Sequence, residues 1–341
     1  MTLSGPGLAL CSLFTLYFGG SPVIYSPAPR GNCQNCCPIR EPRDIKFFLY
    51  TRSNPINADV LYLSDKKRFE TSNFNKSNVL IIYLHGFSES VPGGAGQSSQ
   101  EMRDAFLKVN DYNVLLVDWS PITALPWYWN SVQNVPRVGR YLARFIKFLN
   151  ENGVNMQRIH VIGFSLGAEV AGFAGKMLKE WNLSLSRITG LDPAFPLHMF
   201  INKSTRLGVD SADFVDVIHT DGGILGYPWP LGHADFFPNR GVLQPGCLAQ
   251  EISKNRWYTI VVGCSHQRAW EYFIESLSRA NAFLATYCEP ATEPKSLLPI
   301  NNQTEINCDK KISAYMGFNA DTRLRGKFYL STNSEPPFGK N

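Results

Sequence analysis

Charge is scarce in this chain. Asp, Glu, Lys and Arg make up 18% of its 341 residues, and the net charge is +5. No long run of one sign occurs, so the electrostatic footprint of a nucleic-acid binder is missing, and nucleic acid is not an expected partner. A weak attraction to anionic lipid surfaces remains compatible with the balance. Long apolar runs are missing as well. The segment from Leu8 to Phe18 has the length of a signal-peptide core and is too short to span a bilayer, so no transmembrane segment is expected. There is no internal repeat, and no shift in composition marks a second domain. Histidine is also sparse, at six residues, which makes the search for a catalytic base a short one. The chain does have apolar bulk: 44% of it is hydrophobic, enough for a substantial core.

Several features read as export. Residues 1–25 are expected to be a signal peptide, although no Lys or Arg precedes the apolar segment and Pro22, Pro27 and Pro29 crowd its exit. Asn-x-Ser/Thr triplets at Asn75, Asn182, Asn202 and Asn302 are candidate glycosylation sites. If Cys11 departs with the signal, seven cysteines remain. Cys247, Cys264, Cys288 and Cys308 then pair as chain neighbours, closing two modest loops. Cys33, Cys36 and Cys37 leave one thiol over or pair it elsewhere. Cys33-x-x-Cys36-Cys37 resembles half of a metal site, but no second Cys/His cluster completes four ligands, so disulfide chemistry is expected and no metal.

From Asn78 to His219 the chain alternates strand and helix patterns. Asn78–Leu84, Asn113–Trp119, Arg158–Ile162, Ser186–Leu191 and Phe214–His219 are dense β-branched and apolar runs, as strands buried on both faces are. Two earlier strand-like runs, Lys46–Tyr50 and Asp59–Leu63, flank an Asn-Pro turn. Helices are expected over Gln100–Leu107, Pro136–Asn150 and Gln267–Arg279, and Gly326–Leu330 reads as a closing strand. After His219 the sequence reads mainly as loops rich in Gly, Pro and aromatics. Alternation of this kind predicts an α/β fold with a mostly parallel central sheet and helices on both faces, in one domain over residues 26–341.

The motif that carries chemistry is Gly163-Phe-Ser165-Leu-Gly167. A strand pattern precedes it and an Ala/Gly-rich helix pattern follows, the context of a nucleophile elbow. A serine needs an imidazole and a carboxylate behind it, in the chain order Ser, acid, His for an α/β-hydrolase. Asp192, in Leu-Asp-Pro just past a strand, fits the acid. His85 and His160 precede the acid, and His198 lies too close to it. His219 and His233 remain possible bases. His266 is favoured by order and by rigidity, because Cys264 and a helix start both pin it. Two backbone donors are expected to face the developing oxyanion, the N–H of Leu166 and that of Phe87.

These residues resemble the pancreatic lipase family. The matching blocks run over roughly residues 40–335 and include Leu84-His-Gly-Phe87, Val117-Asp-Trp119, Gly163–Gly167, Leu191-Asp-Pro-Ala194, Val217–Asp221, Gly232–Asn239, Pro245-Gly-Cys247 and Cys264-Ser-His266. The resemblance implies the α/β-hydrolase fold, a Ser165, Asp192 and His266 triad, and an oxyanion hole from Phe87 and Leu166. It also implies a lid over residues 247–264 tethered by Cys247 and Cys264. Departures from the family pattern refine the picture. Phe164 stands where His or Tyr is usual, as in many insect relatives. The stretch Arg206–Asp213 has its carboxylates out of register for the family's calcium loop, so neither calcium nor a cofactor is expected. The chain stops after the closing strand instead of continuing into a C-terminal β-sandwich, so colipase is not implied. The lid holds sixteen residues and the Gly222–Leu231 loop is short, as in phospholipase A1 enzymes and insect neutral lipases. The expected function is therefore a secreted serine lipase acting on glycerolipids at a membrane or emulsion surface. A catalytically silent lipid-binding or yolk-type protein on the same fold is the alternative.

Overall fold

A computed structural model of the chain describes residues 10–18, 21–91, 97–197, 202–247, 263–290 and 306–340. Its centre is a sheet of eleven strands. In chain order these are β3 (Lys46–Tyr50), β4 (Asp59–Leu61), β5 (Leu80–Leu84), β6 (Asn113–Asp118), β7 (Ile159–Phe164), β8 (Arg187–Leu191), β9 (Phe214–Ile218), β10 (Ala234–Pro238), β11 (Leu284–Pro290), β12 (Ile306–Tyr315) and β13 (Gly326–Leu330). Across the sheet the order is β12-β11-β13-β10-β9-β8-β7-β5-β6-β3-β4. The seven strands from β13 through β6 pair in parallel; β3 and β4 at one edge and β11 and β12 at the other are antiparallel. Four long helices, α1 (Ser98–Val109), α2 (Tyr128–Glu151), α3 (Leu166–Glu180) and α4 (Cys264–Ser278), cover it. Helices α2 and α3 pack together on one face, α1 and α4 on the other. This is the expected α/β-hydrolase architecture.

Dense apolar strands are needed because both faces are covered. Along β5, Leu80, Ile82 and Leu84 enter the core under α2 and α3, while Ile81 and Tyr83 enter the core under α1 and α4. All five are solvent-inaccessible, and each buried aliphatic side chain contributes about 1.5–3 kcal/mol. Helix α2 begins eight residues before the expected start, so Pro136 lies inside it. The extra turns hold because Val132 and Val135 are buried and Ser131 Oγ donates to the carbonyls of Ile122 and Trp127.

The loop-like reading after His219 is corrected by β10, β11 and β12. Strand β10 lies between β9 and β13 and buries Asp235, while β11 and β12 form an edge hairpin in which Cys288 faces Cys308 and is bonded to it. The pairing of the N-terminal cysteines, left open by the sequence, is resolved for the full chain. Cys11 is bonded to Cys37 and Cys33 to Cys36, so the eight cysteines form four bridges and no thiol is left over. Within the stretch read as signal peptide, β1 (Phe14–Phe18) and β2 (Ser21–Tyr25) pair as antiparallel strands. No helix among the described residues is long and apolar enough to cross a membrane.

A buried ionic knot joins β8 and β9 near the strand starts. Arg187 forms a bidentate pair with Asp216 (both bonds 2.8 Å) and donates to the carbonyls of Gly317 and Phe318. Thr189 adds a third donor to Asp216 and bonds His160. Asp216 is solvent-inaccessible, so Arg187→Met should cost about 3–5 kcal/mol by stranding a buried carboxylate, and thermal melting should record a fall of roughly 5–10 °C.

Candidate active site

The site assembles where β5, β7, β8 and β9 end side by side, so the loops that follow them meet. Strand β7 turns abruptly into α3 at Ser165, whose φ of 55° and ψ of −122° lie in a strained region for a non-glycine residue. The turn is tight enough to exclude neighbouring side chains. A Cβ on Gly163 would strike the Gly167 carbonyl and the Ala168 backbone, and one on Gly167 would strike the carbonyls of Leu84 and His85. Backbone bonds hold the turn: Ser165 N–H donates to the Leu191 carbonyl (3.0 Å), and the Ser165 carbonyl accepts from Ala168 (3.0 Å) and Ala194 (3.3 Å).

Asp192 follows β8 at φ 43° and is solvent-inaccessible. Its Oδ1 accepts the backbone N–H groups of Thr220 (2.8 Å) and Asp221 (3.1 Å), just past β9, and its Oδ2 lies 2.6 Å from His266 Nδ1. His266 sits in the first turn of α4, beside the Cys247–Cys264 bridge that was expected there. The lid residues between, 248–262, lie outside the described residues, as does His198. The His266 ring packs on Phe164 at 4.6 Å between centroids, which places it over the residue before Ser165. With Nδ1 committed to Asp192, Nε2 is the nitrogen left to take a proton from the serine side. Gln244 braces the arrangement: its side-chain amide donates to the Thr220 carbonyl (2.9 Å) and its backbone N–H donates to Ser265 Oγ (3.0 Å).

Burial pushes the Asp221 carboxyl up to about 7, and the charge of Asp192 adds to the shift. Burial alone would depress His266, but the hydrogen bond and charge of Asp192, with the charges of Asp221 and Glu89, raise it overall. A general base must be neutral to accept a proton, so kcat/KM should climb with pH through an acid limb above the ordinary imidazole value of 6.5. A pH–rate profile measures this, and an acid limb at or below that value contradicts the assignment. On α3, one turn beyond Ser165, the buried Glu169 is pushed up to about 8 by desolvation, so it stays protonated at neutral pH.

The other candidate bases have different partners. His219 is clamped between Asp235 (2.9 Å) and the Tyr227 carbonyl (2.8 Å) and stacks on Phe237. His233 Nδ1 accepts the Val215 N–H. His160 belongs to the buried knot of β8 and β9. His85 donates from Nδ1 to the Gly86 carbonyl and accepts the Trp119 N–H at Nε2, so it shapes the loop after β5. That loop abuts the elbow: a Cβ on Gly86 would stand 3.1 Å from Ser165 Cβ. Phe87 N–H is next to it, and Leu166 N–H, at the first position of α3, has no partner within its helix.

Two aromatic groups lie on the segments that follow Gly86 and Asp192. Phe87 meets Tyr128 edge-on, and Phe195 meets Tyr227 and Trp229. The short loop carrying Tyr227 and Trp229 is stitched to the segment after Asp192 by bonds from Phe195 N–H to the Leu225 carbonyl and from Tyr227 N–H to the Pro193 carbonyl, both 2.7 Å. As for cations, Asp192, Asp221 and His266 present ligand atoms within 4.8 Å of one another, but both Asp192 oxygens are already engaged. In the Arg206–Asp213 stretch, Asp210 pairs with Lys176 and Asp213 accepts from Ser184. The described glycosylation candidates, Asn75, Asn182 and Asn202, are exposed; Asn302 lies outside the described residues.

A mostly parallel sheet whose strand ends carry a strained Gly-x-Ser-x-Gly turn and a buried His–Asp pair defines an α/β-hydrolase. Residues 33–338 match the profile of the Lipase family, and the chain belongs to that family. It is 35% identical to lipase member H of Xenopus tropicalis over 75% of this chain and 55% of that protein. Identity to the inactive pancreatic lipase-related protein 1 of Homo sapiens is 33%, over 86% of this chain and 64% of the relative. Identity to the pancreatic triacylglycerol lipase of Myocastor coypus is 32%, over 86% and 66%. The chain thus spans little more than half to two thirds of the length of these curated relatives.

Proposed function

We propose that this protein is a secreted serine lipase that hydrolyses fatty-acyl ester bonds of glycerolipids, of triacylglycerol lipase or phospholipase A1 type. The observation that carries the proposal is the buried Asp192–His266 pair beside an elbow-held Ser165. In the reaction, Ser165 Oγ attacks the ester carbonyl carbon as its proton passes to His266 Nε2. Asp192 stabilises the imidazolium, and the Phe87 and Leu166 N–H groups receive the charge on the carbonyl oxygen. Collapse breaks the acyl–oxygen bond, and His266 returns the proton to the departing glycerol oxygen. Water then attacks the acyl-serine with the same base, releasing the fatty acid and restoring Ser165. Every group this chemistry uses is a side chain or backbone amide of the chain, so the proposal invokes no metal or cofactor. The aromatic groups after Gly86 and Asp192 supply apolar surface for an acyl chain at a membrane or emulsion surface, and no colipase is invoked. Four disulfides fit an oxidising, extracellular setting.

Family membership alone leaves a second reading, because some relatives are named inactive. A silent lipid-binding protein has no need of a buried carboxylate aligned on His266, and that alignment favours the enzyme. The test is labelling by an organophosphonate ester together with hydrolysis of a fluorogenic acyl ester. Both are expected of the wild type. A protein that neither reacts nor hydrolyses is the silent binder. Parallel assays on triolein emulsion and phosphatidylcholine vesicles then separate the two lipase types.

A further inference from the structure

The loop from His85 to Val91 carries Phe87, and nearly every bond that shapes it comes from outside the loop. His85 is held by Trp119, Ser88 N–H donates to the Thr123 carbonyl (2.8 Å), the Ser88 carbonyl accepts from Ile24 (2.9 Å), and Val91 N–H donates to Asp118 (3.3 Å). Ser88 itself is held at φ 62°, a conformation that surrounding bonds must enforce. At the position that decides where the next amide points, the bond is made by a side chain of the loop. Glu89 Oε2 accepts the Gly86 N–H at 2.8 Å. The same carboxylate accepts Ser98 Oγ–H (2.9 Å to Oε1 and 3.0 Å to Oε2), and Ser98 is a solvent-inaccessible residue in the first turn of α1. A carboxylate is favoured at a helix N-terminus, so one end of the bridge is anchored to a rigid element.

We infer that Glu89 is a positioning residue for the oxyanion site: by joining the Gly86 amide to the start of α1, it fixes the His85–Gly86 peptide plane, and with His85 Nδ1 holding the Gly86 carbonyl (2.8 Å) the next peptide is set so that the Phe87 N–H faces the charge developing beside Ser165. The inference rests on the proposed esterase reading of Ser165. Fixing one peptide rotates the next donor, and donors aimed in advance are worth more than donors that must reorient during reaction. Without the carboxylate, Gly86, having no side chain to restrict it, samples other orientations. Misplacing one oxyanion donor weakens transition-state binding and leaves ground-state binding of the acyl chain alone.

The test compares Glu89→Ala, Glu89→Gln and Ser98→Ala with wild type on a soluble acyl ester, recording kcat, KM, Tm and the rate of phosphonylation. Glu89→Ala should lower kcat and phosphonylation by about tenfold to a hundredfold with KM within twofold, since losing a whole donor costs about 10²–10³. Glu89→Gln keeps an acceptor oxygen for the Gly86 N–H and should remain within about fivefold of wild type. Ser98→Ala leaves Glu89 in place but unanchored and should show a smaller loss than Glu89→Ala, and this variant carries the test should Glu89→Ala fail to fold. The inference is overturned if Glu89→Ala or Ser98→Ala matches wild type, if KM rises in place of a fall in kcat, or if Glu89→Gln is as slow as Glu89→Ala, which would make charge and not the bridge the cause. Failure of the wild type to hydrolyse or to be phosphonylated would instead strike at the esterase reading itself.

Discussion

Ser165→Ala should remove hydrolysis of acyl esters by on the order of 10⁵–10⁶-fold, about 7–8 kcal/mol of barrier. The reason is that the triad acts as a unit. With no Oγ to attack, the proton acceptor at His266 has nothing to activate, and only the oxyanion donors and acyl-chain binding remain to help water. The fold should be untouched. The bonds that hold the elbow involve the backbone N–H and carbonyl of Ser165, which alanine keeps, and the strained φ of 55° already accommodates a Cβ. The measurement is a fluorogenic ester assay with a parallel melting curve. An unchanged Tm with activity at background is the expected pair of results, and equal rates for variant and wild type would sink the enzymatic proposal. Organophosphonate labelling should vanish in the same variant, because the probe bonds to Oγ.

Much of this architecture was legible in the sequence where burial leaves a dense apolar signature. The runs at β5, β6, β7, β8 and β9 stood out because both sheet faces are covered, and the Ser165 turn announced itself through the glycines that its tight backbone requires. Elements were missed where burial is polar or absent. Strand β10 reads Ala-Asp-Phe-Phe-Pro, and its aspartate is buried only because His219 and the Leu231 and Gly232 amides are there to meet it, a partnership no local pattern reveals. Strand β12 is exposed along almost its whole length, so it shows no alternation. Pro136 masked the early start of α2, whose first turns are fastened by tertiary contacts. At the site, Ser165, Asp192 and His266 were reachable from chain order, and the structure brings Asp192 and His266 together beside the Ser165 elbow. Glu89, Gln244 and Asp221 carried no such signal. Their roles arise from what lies opposite them, although the place of Thr220-Asp221 immediately after a strand was a clue of the kind that singled out Asp192.

Asp192→Asn should cut kcat by about 10⁴ while leaving KM near its wild-type value, and the cause can be traced atom by atom. Oδ1 of Asp192 faces two backbone donors, Thr220 N–H and Asp221 N–H. An asparagine at 192 must therefore turn its carbonyl oxygen toward those donors, since the opposite flip would set its NH₂ against two N–H groups. That leaves the NH₂ facing His266 Nδ1, where wild type has an accepting oxygen 2.6 Å away. To receive this bond Nδ1 must be unprotonated, so the neutral imidazole carries its proton on Nε2, the nitrogen that has to accept one from Ser165. The base is blocked by its tautomer. The φ of 43° at this position is well suited to asparagine, so the variant should fold and should still bind substrate. The acid limb should also move to lower pH, because the negative charge that holds the imidazolium is gone. Steady-state kinetics across pH separate these effects. A variant retaining more than about 1% of wild-type kcat would mean that another carboxylate orients His266. Asp221, pushed up to about 7 beside it, would then be the group to replace next.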